Sequence, residues 1–163
     1  MDRVNRVVTI GVYGWTLDSL LDALRKADVR LVMDVRQRRG VRGSEYAWAN
    51  AKRLESALDQ ARIAYAHHKE LAPTTGLREL QYREDDRAGV GKRSRTELAP
   101  EYVERYTTDV LGQVDLRPLV DELPDDGATA LMCVERDPEA CHRSLIAERL
   151  ERELGVPVTH LRP

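Results

Sequence analysis

The residues best suited to chemistry in this sequence lie close together, at positions 133–143. Both cysteines of the chain occur there, together with the carboxylate of Glu135, the imidazole of His142 and the guanidinium of Arg143. An imidazole or a carboxylate can move protons, a thiolate can attack as a nucleophile, and an arginine can bind an anion through two parallel hydrogen bonds. The segment therefore predicts a site in which His142 or Glu135 acts as acid or base and Cys133 is the candidate nucleophile.

A second set of polar residues follows the strands expected in the first half of the chain. Asp34 ends a predicted strand, Arg36 lies just beyond it, and Tyr13 ends the strand before. Because ligands of open parallel sheets bind beyond the carboxyl ends of the strands, we expect these residues to face positions 133–143. In that arrangement Arg36, Arg143 and Tyr13 would bind an anion, and Asp34 would join the candidate catalytic groups.

Each of these residues also has a purely structural interpretation. Cys141 precedes Leu145 by one helical turn, and Cys133 ends a buried strand, so inert packed thiols are the simpler hypothesis. His142 can equally be a hydrogen-bonded structural histidine. The arginines can pair with Asp34 and Glu135 in a buried network that only stabilises the fold. The sequence leaves these alternatives open.

Familiar cysteine motifs do not match the segment. A metal site built from Cys133, Glu135, Cys141 and His142 would have the spacing Cys-x7-Cys-His, which is no common zinc pattern, so we predict no metal site. Nine residues separate Cys133 from Arg143 and one separates Cys141 from Arg143, and neither spacing fits a phosphatase-type loop. No glycine-rich phosphate loop is present, and no particular cofactor is indicated.

The first 67 residues alternate between short apolar runs and amphipathic stretches. Residues 7–13, 29–35 and 63–67 are rich in β-branched and apolar side chains and predict strands. A helix capped by Thr16 and a second helix over residues 50–61 connect them. The order β-α-β-α-β indicates an open α/β sheet.

The second half is less regular. Residues 68–98 predict a long, partly irregular insertion with a short helix around 77–82, and such long loops are often functional or mobile. The remaining predicted elements are a helix from Pro100, a helical piece at 116–123, a strand at 128–134, a helix at 138–154 and a strand at 156–161. Together they predict a single α/β domain over residues 1–163, an open, mostly parallel β-sheet with helices on both faces.

Composition limits the partners. The net charge of −2 gives no overall attraction to nucleic acid or membrane, so anion binding must be local. Residues 1–6 contain no apolar signal region, no apolar run approaches the ~20 residues of a membrane span, and two cysteines make no disulfide framework. We therefore expect a cytoplasmic protein with no membrane partner. The oligomeric state is not indicated.

One loop offers a different kind of binding surface. Positions 36, 38, 39 and 42 are all arginine, and two aromatic residues, Tyr46 and Trp48, follow them. Such a loop could contact phosphates and stack on bases, which is the basis of an alternative hypothesis, a nucleic-acid-binding module that uses Arg36–Trp48. A solvated loop without a ligand is the simpler interpretation of the same residues.

The sequence resembles the DUF488 family of uncharacterised proteins, which includes the YeaO-like group. The resemblance covers most of the chain and is carried by these residues: Thr9-Ile10-Gly11, Asp34-Val35-Arg36, Tyr65, His67, Cys133-x-Glu135-x-Asp137-Pro138-x-x-Cys141-His142-Arg143 and Ile146-Ala147. Two positions depart from the family pattern, with Tyr13-Gly14 in place of a small polar residue and Leu71-Ala72-Pro73 in place of Leu-Gly-Gly. The resemblance implies an α/β fold and a shared site, and no established reaction.

The leading hypothesis is a small enzyme that binds an anionic, phosphorylated or nucleotide-like substrate at the carboxyl ends of the strands. The residues leave open whether it is an enzyme at all and, if so, whether it is a hydrolase or a transferase. Besides the nucleic-acid module, a non-catalytic interaction domain remains as an alternative.

Overall fold

A computed structural model of the chain describes residues 6–91 and 93–163. In these residues five strands lie parallel in one sheet, in the order β3-β2-β4-β1-β5. The strands are β1 Arg6–Gly11, β2 Val29–Asp34, β3 Ala64–His67, β4 Ala128–Cys133 and β5 Val158–His160. The predicted parallel α/β sheet is thereby confirmed.

Six α-helices accompany the sheet within the described residues. They are α1 Leu17–Lys26, α2 Ala51–Gln60, α3 Thr75–Ala88, α4 Pro100–Asp109, α5 Arg117–Asp121 and α6 Arg143–Leu154. The chain moves from β1 to β2 to β3 in one direction across the sheet and from β4 to β5 in the other. Because such crossovers are right-handed, α1 and α2 cover one face and α3 to α6 cover the other.

This reversal places a crevice between the carboxyl ends of β2 and β4. The two strands are neighbours, yet the chain leaves β2 toward one edge of the sheet and leaves β4 toward the other. Ligands of doubly wound sheets bind at such a point. Asp34 at the end of β2 is in register with Met132 of β4, so the segments that follow both strands start side by side.

Local sequence explains the central elements. All six residues of β4 are buried, as expected for a strand with neighbours on both edges and helices on both faces. Thr16 caps α1 as predicted, since its side chain accepts from the backbone of Ser19 while the Ser19 hydroxyl accepts from the Thr16 amide. Gly89 and Gly155 end α3 and α6 in the left-handed conformation. No helix in the described residues is both long and apolar enough to cross a membrane.

Two predicted helices were wrong in their bounds. The short helix expected around 77–82 is part of α3, the longest helix of the described residues, and the signal for the rest was weak because two of the four buried residues of α3, Gln81 and Asp85, are polar. The helix expected at 138–154 begins only at Arg143, because Pro138–Ala140 forms a 3₁₀ turn and Cys141 has extended backbone angles (φ −139°, ψ 144°). Cys141 and His142 therefore precede the helix, and do not lie in its first turn.

The carboxyl end of β1 admits no side chain at Gly11. A Cβ atom there would lie 1.8 Å from the carbonyl oxygen of Glu135. Gly11→Ala should therefore lower the free energy of unfolding by about 3 kcal/mol or more, because backbone must move. Urea denaturation measures this. Gly76→Ala, at an exposed helical position whose nearest neighbour would be 4.0 Å away, is the matched control and should not destabilise the protein. Equal stability of the two variants would contradict the predicted close approach.

Candidate functional site

A buried ion pair closes the end of β2. The Arg36 guanidinium donates to Asp34 through Nε (2.9 Å to Oδ1) and Nη2 (2.8 Å to Oδ2), and its Nη1 donates to the Ala49 carbonyl at 2.9 Å. The Tyr65 hydroxyl donates to the same carboxylate at 2.6 Å. Burial alone would lower the pKa of Arg36, but the hydrogen bonds and charge of Asp34 raise it. All three side-chain nitrogens of Arg36 therefore already donate to groups of the protein.

Arg143 is likewise buried and hydrogen-bonded within the protein, at the end of β4. Its side chain is fully buried and donates to the Glu135 carbonyl at 2.6 Å, to the Arg136 carbonyl at 3.1 Å and to the Thr9 hydroxyl at 3.3 Å. The guanidinium thus holds the chain leaving β4 against β1. Anion binding by Arg143 and Arg36 stays a prediction, and it would require them to exchange present hydrogen bonds for bonds to the ligand.

The thiols and the imidazole form a buried cluster in the β2–β4 crevice. Nδ1 of His142 lies 3.8 Å from Sγ of Cys133 and 3.8 Å from Sγ of Cys141. The opposite ring nitrogen, Nε2, lies 2.8 Å from the Val35 carbonyl oxygen, which can only accept. Nε2 therefore carries a proton. The cluster joins the segments that follow β2 and β4, as the sequence predicted for these strand ends.

Burial and charge act in opposite directions on these groups. Burial raises the pKa of Cys133 well above its ordinary value. Burial also opposes ionisation of Cys141, but the hydrogen bond with Cys133 and the positive charges of Arg143 and His142 outweigh it and lower the Cys141 pKa well below the ordinary value. Burial lowers the pKa of His142, whereas its contact with Cys141 raises it, and the net shift is upward. Cys141 is thus the more readily ionised of the two thiols.

Arg95 connects this cluster to α3, and sequence reasoning missed it. Its guanidinium donates to Glu135 at 2.8 Å, to Asp85 at 2.7 Å and to the Ala140 carbonyl at 3.2 Å, and the residue is buried. In the sequence Arg95 stands in a mixed run of acidic and basic residues that is typical of a solvated surface. Only the unusual burial of Asp85 on α3 would have drawn attention to it, and burial is not visible in the sequence.

A cavity of about 720 Å³ opens beside the crevice. It is formed by the segments that follow β1, β2 and β4 together with α3 and the loop after α3. The described residues that line it are Tyr13, Arg38, Gly40, Val41, Arg42, Arg78, Tyr82, Gly91, Arg93, Ser94 and Val134. Four of them are arginines and none of them is acidic, so the cavity is a local basic site in a chain of net charge −2.

The four arginines of the basic cavity differ in how firmly they are held. Arg78, on α3, donates to the Gln37 side chain at 2.7 Å and to the Tyr82 hydroxyl at 3.0 Å. These two bonds restrain the position of its guanidinium. Arg93 lies over the ring of Tyr13, 5.0 Å from its centre, and pairs with Glu45, a residue outside the lining. Arg38 and Arg42 are exposed. Neither forms a side-chain hydrogen bond or ion pair with any residue that the structure describes.

The predicted site residues thus separate into two groups. Tyr13 lines the basic cavity, and Val134, which was not predicted, forms its wall between Cys133 and Glu135. The other candidates, Asp34, Arg36, Cys133, Glu135, His142 and Arg143, are buried and are not among the lining residues. The rings of Tyr46 and Trp48, expected to stack on bases in the nucleic-acid hypothesis, are buried as well.

Comparison with known proteins identifies the family of the chain and nothing more specific. The family described as "Domain of unknown function DUF488" matches residues 16–150, which include the carboxyl ends of β2 and β4. The chain belongs to the DUF488 family. No curated protein and no solved structure matches this DUF488 chain. The family assignment supplies no reaction, so function must be argued from the site itself.

Removing the Arg95 guanidinium should leave two buried carboxylates without their shared cation. We expect Arg95→Met to lower the free energy of unfolding by about 3–5 kcal/mol in urea denaturation. Arg87→Met is the control, because Arg87 pairs with Glu84 on the surface with 77% of its side chain exposed, and its loss should change stability by less than about 0.5 kcal/mol. Similar small effects of both substitutions would show that the Arg95 network does not stabilise the fold.

Tyr65→Phe tests the hydrogen bond to the buried Asp34 carboxylate. Its loss should cost about 1.5 kcal/mol at pH 7, the low end for a bond to a charged group because Tyr65 is half-buried. Burial and the bond to Asp34 raise the pKa of Tyr65 to about 12, against the lowering effect of Arg39. Since the folded-state pKa is the higher one, the advantage of the wild type is complete below pH 10.0 and declines as the pH rises toward about 12. An advantage that grew over this range would contradict the assignment.

Proposed function

We propose that this protein binds a small anionic ligand, phosphorylated or nucleotide-like, in the basic cavity beside the β2–β4 crevice. The observation that carries the proposal is the convergence of four arginines, without any acidic residue in the described lining, at the carboxyl ends of three parallel strands. The volume of about 720 Å³ falls within the roughly 300–1,000 Å³ of small-molecule sites.

The lining residues favour a phosphate over a simple carboxylate. Guanidinium groups bind phosphate oxygens through paired hydrogen bonds, and several of them around one cavity suit a ligand with more than one negative charge. Arg78 is held in place by Gln37 and Tyr82, whereas Arg38 and Arg42 have donors to offer. Tyr13, whose ring lies beneath the Arg93 guanidinium, contributes to the same lining.

If the protein is a hydrolase or transferase, the buried cluster of thiols and imidazole, together with Glu135, would supply the reacting groups. Glu135 and His142 are the groups that could move protons, and Cys133 or Cys141 could supply a thiolate. The lowered pKa of Cys141 makes it the more readily ionised of the two thiols, although the sequence favoured Cys133. A ligand in the cavity would lie near these groups, because Val134 of the lining is the residue between Cys133 and Glu135.

The binding proposal is tested with two probes, inorganic pyrophosphate by calorimetry and a fluorescent ADP derivative by titration. Arg78→Gln should weaken binding of each probe about tenfold or more, as expected for the loss of hydrogen bonds between charged groups. Arg83→Gln is the matched control, because Arg83 lies exposed on the same helix outside the cavity and its loss changes the net charge equally. Equal weakening by both variants, or no binding to wild type, would contradict the proposal.

A nucleic acid would present the same phosphates, and Arg38 and Arg42 belong to the loop of that alternative hypothesis. The two ligands differ in salt dependence. A polynucleotide is bound through several phosphates, so its affinity falls steeply as the salt concentration rises. If the protein binds nucleic acid, a short single-stranded RNA should also bind more tightly than pyrophosphate. We expect the opposite order, because the rings of Tyr46 and Trp48 are buried and cannot stack on bases. Absence of binding to every probe would favour the non-catalytic interaction domain.

A further inference from the structure

We propose that Cys133, Cys141 and His142 form a metal site that binds one Zn²⁺ ion through two thiolates and the Nδ1 atom of the imidazole. The site is distinct from the basic cavity, and the proposal does not rest on the function proposed above. The spacing Cys-x7-Cys-His argued against a zinc site because common zinc motifs place ligand pairs in short local turns. Here the fold supplies the proximity, since one thiol ends β4 and the other precedes α6.

The three donor atoms have nearly the separations that zinc requires. All of them lie within 4.8 Å of one another, and each sulfur lies 3.8 Å from Nδ1. With Zn–S bonds of about 2.3 Å and Zn–N bonds of about 2.0–2.1 Å, a tetrahedral site separates sulfur from nitrogen by about 3.6 Å. The sulfur–nitrogen distances would therefore change by only a few tenths of an ångström, and the two sulfurs, which lie within 4.8 Å of each other, would approach by up to about 1 Å to reach the ~3.8 Å of a tetrahedral site.

The imidazole is oriented as a metal ligand. Its Nε2–H donates to the Val35 carbonyl at 2.8 Å, so in the neutral ring the lone pair is on Nδ1, the nitrogen that faces both sulfurs. Metal-binding histidines usually donate their second ring nitrogen to a carbonyl or carboxylate in this way, which fixes the tautomer. The ring of Tyr106 packs edge-on against His142 with 5.5 Å between ring centres and restrains its rotation.

The surroundings suit a divalent ion between two thiolates. The three ligand residues are buried, so water competes little for the donor atoms. Glu135 places Oε2 3.8 Å from Sγ of Cys133 while its Oε1 accepts from Arg95 at 2.8 Å. This carboxylate is close enough to orient a water in the fourth position, which is the arrangement of a catalytic zinc centre and not of a closed structural one.

Metal binding releases the thiol protons to solvent and changes no oxidation state, so the step balances without a redox partner. The expected reducing compartment would keep both thiols available. The competing interpretation is a hydrogen-bonded thiol pair that can oxidise to a disulfide but has no affinity for metal. The two interpretations differ in what the reduced protein does when Co²⁺ or Zn²⁺ is added.

The experiment is a titration of the reduced, chelator-treated full chain with Co²⁺ under argon. We expect saturation at one Co²⁺ per chain, a near-ultraviolet band from sulfur-to-cobalt charge transfer, and the strong visible bands of a tetrahedral ion. One equivalent of Zn²⁺ should then abolish these bands. Cys141→Ser and His142→Gln should each weaken Co²⁺ binding at least about tenfold, with the charge-transfer band reduced in the serine variant. His68→Gln, which alters a histidine that contacts Glu70 and Glu122, should leave the titration unchanged.

A second measurement on the wild type guards against variants that do not fold. The rate at which a thiol reagent modifies the two cysteines should fall sharply when Zn²⁺ is bound, and Mg²⁺ should give no protection because thiolates do not select it. Reduced wild-type protein that shows no charge-transfer band and no protection by Zn²⁺ would overturn the proposal. So would a Co²⁺ spectrum that persists unchanged in a folded Cys141→Ser variant.

Discussion

The buried Arg143 guanidinium is the interaction on which the arrangement of the site depends. It holds the carbonyls of Glu135 and Arg136 against β1, where Gly11 leaves no room for a side chain. This contact fixes the direction in which the chain leaves β4. That direction sets the position of Glu135 beside Arg95, the place of Val134 in the cavity wall, and the meeting of the two thiols with His142.

The arginines around the site either stabilise the fold or are available to a ligand, and burial decides which of these two roles each one has. Arg36, Arg95 and Arg143 are buried and bond to carboxylates and carbonyls of the protein, because an unpaired buried cation would be costly. Arg38, Arg42 and Arg93 of the basic cavity are exposed, so water can solvate them until a ligand binds. A buried arginine whose three side-chain nitrogens bond to the protein stabilises structure, whereas an accessible arginine with free donors can bind an anion at little cost in existing bonds.

The sequence was sufficient for the sheet and for the neighbourhood of the site, and insufficient for the roles within it. Strand runs and helix caps predicted the α/β order, and the rule for strand ends brought Asp34 and Arg36 near positions 133–143. The sequence could not distinguish buried arginines from accessible ones, because the residue type is the same. The polar buried positions of α3 also concealed both that helix and Arg95, since hydrophobic spacing is the signal for a packed helix. The metal-ligand cluster was not predicted from the sequence for a related reason, because tertiary contacts and not local spacing bring its residues together.

We infer that the arginines lining the cavity, and not the fully buried Arg36 and Arg143, bind the anion. A crystal structure of the protein with inorganic pyrophosphate tests it most directly. We expect an ordered pyrophosphate in contact with the guanidinium groups of Arg38, Arg42 and Arg78, with the Asp34–Arg36 pair intact. Pyrophosphate bound between Arg36 and Arg143, with their present hydrogen bonds broken, would contradict it.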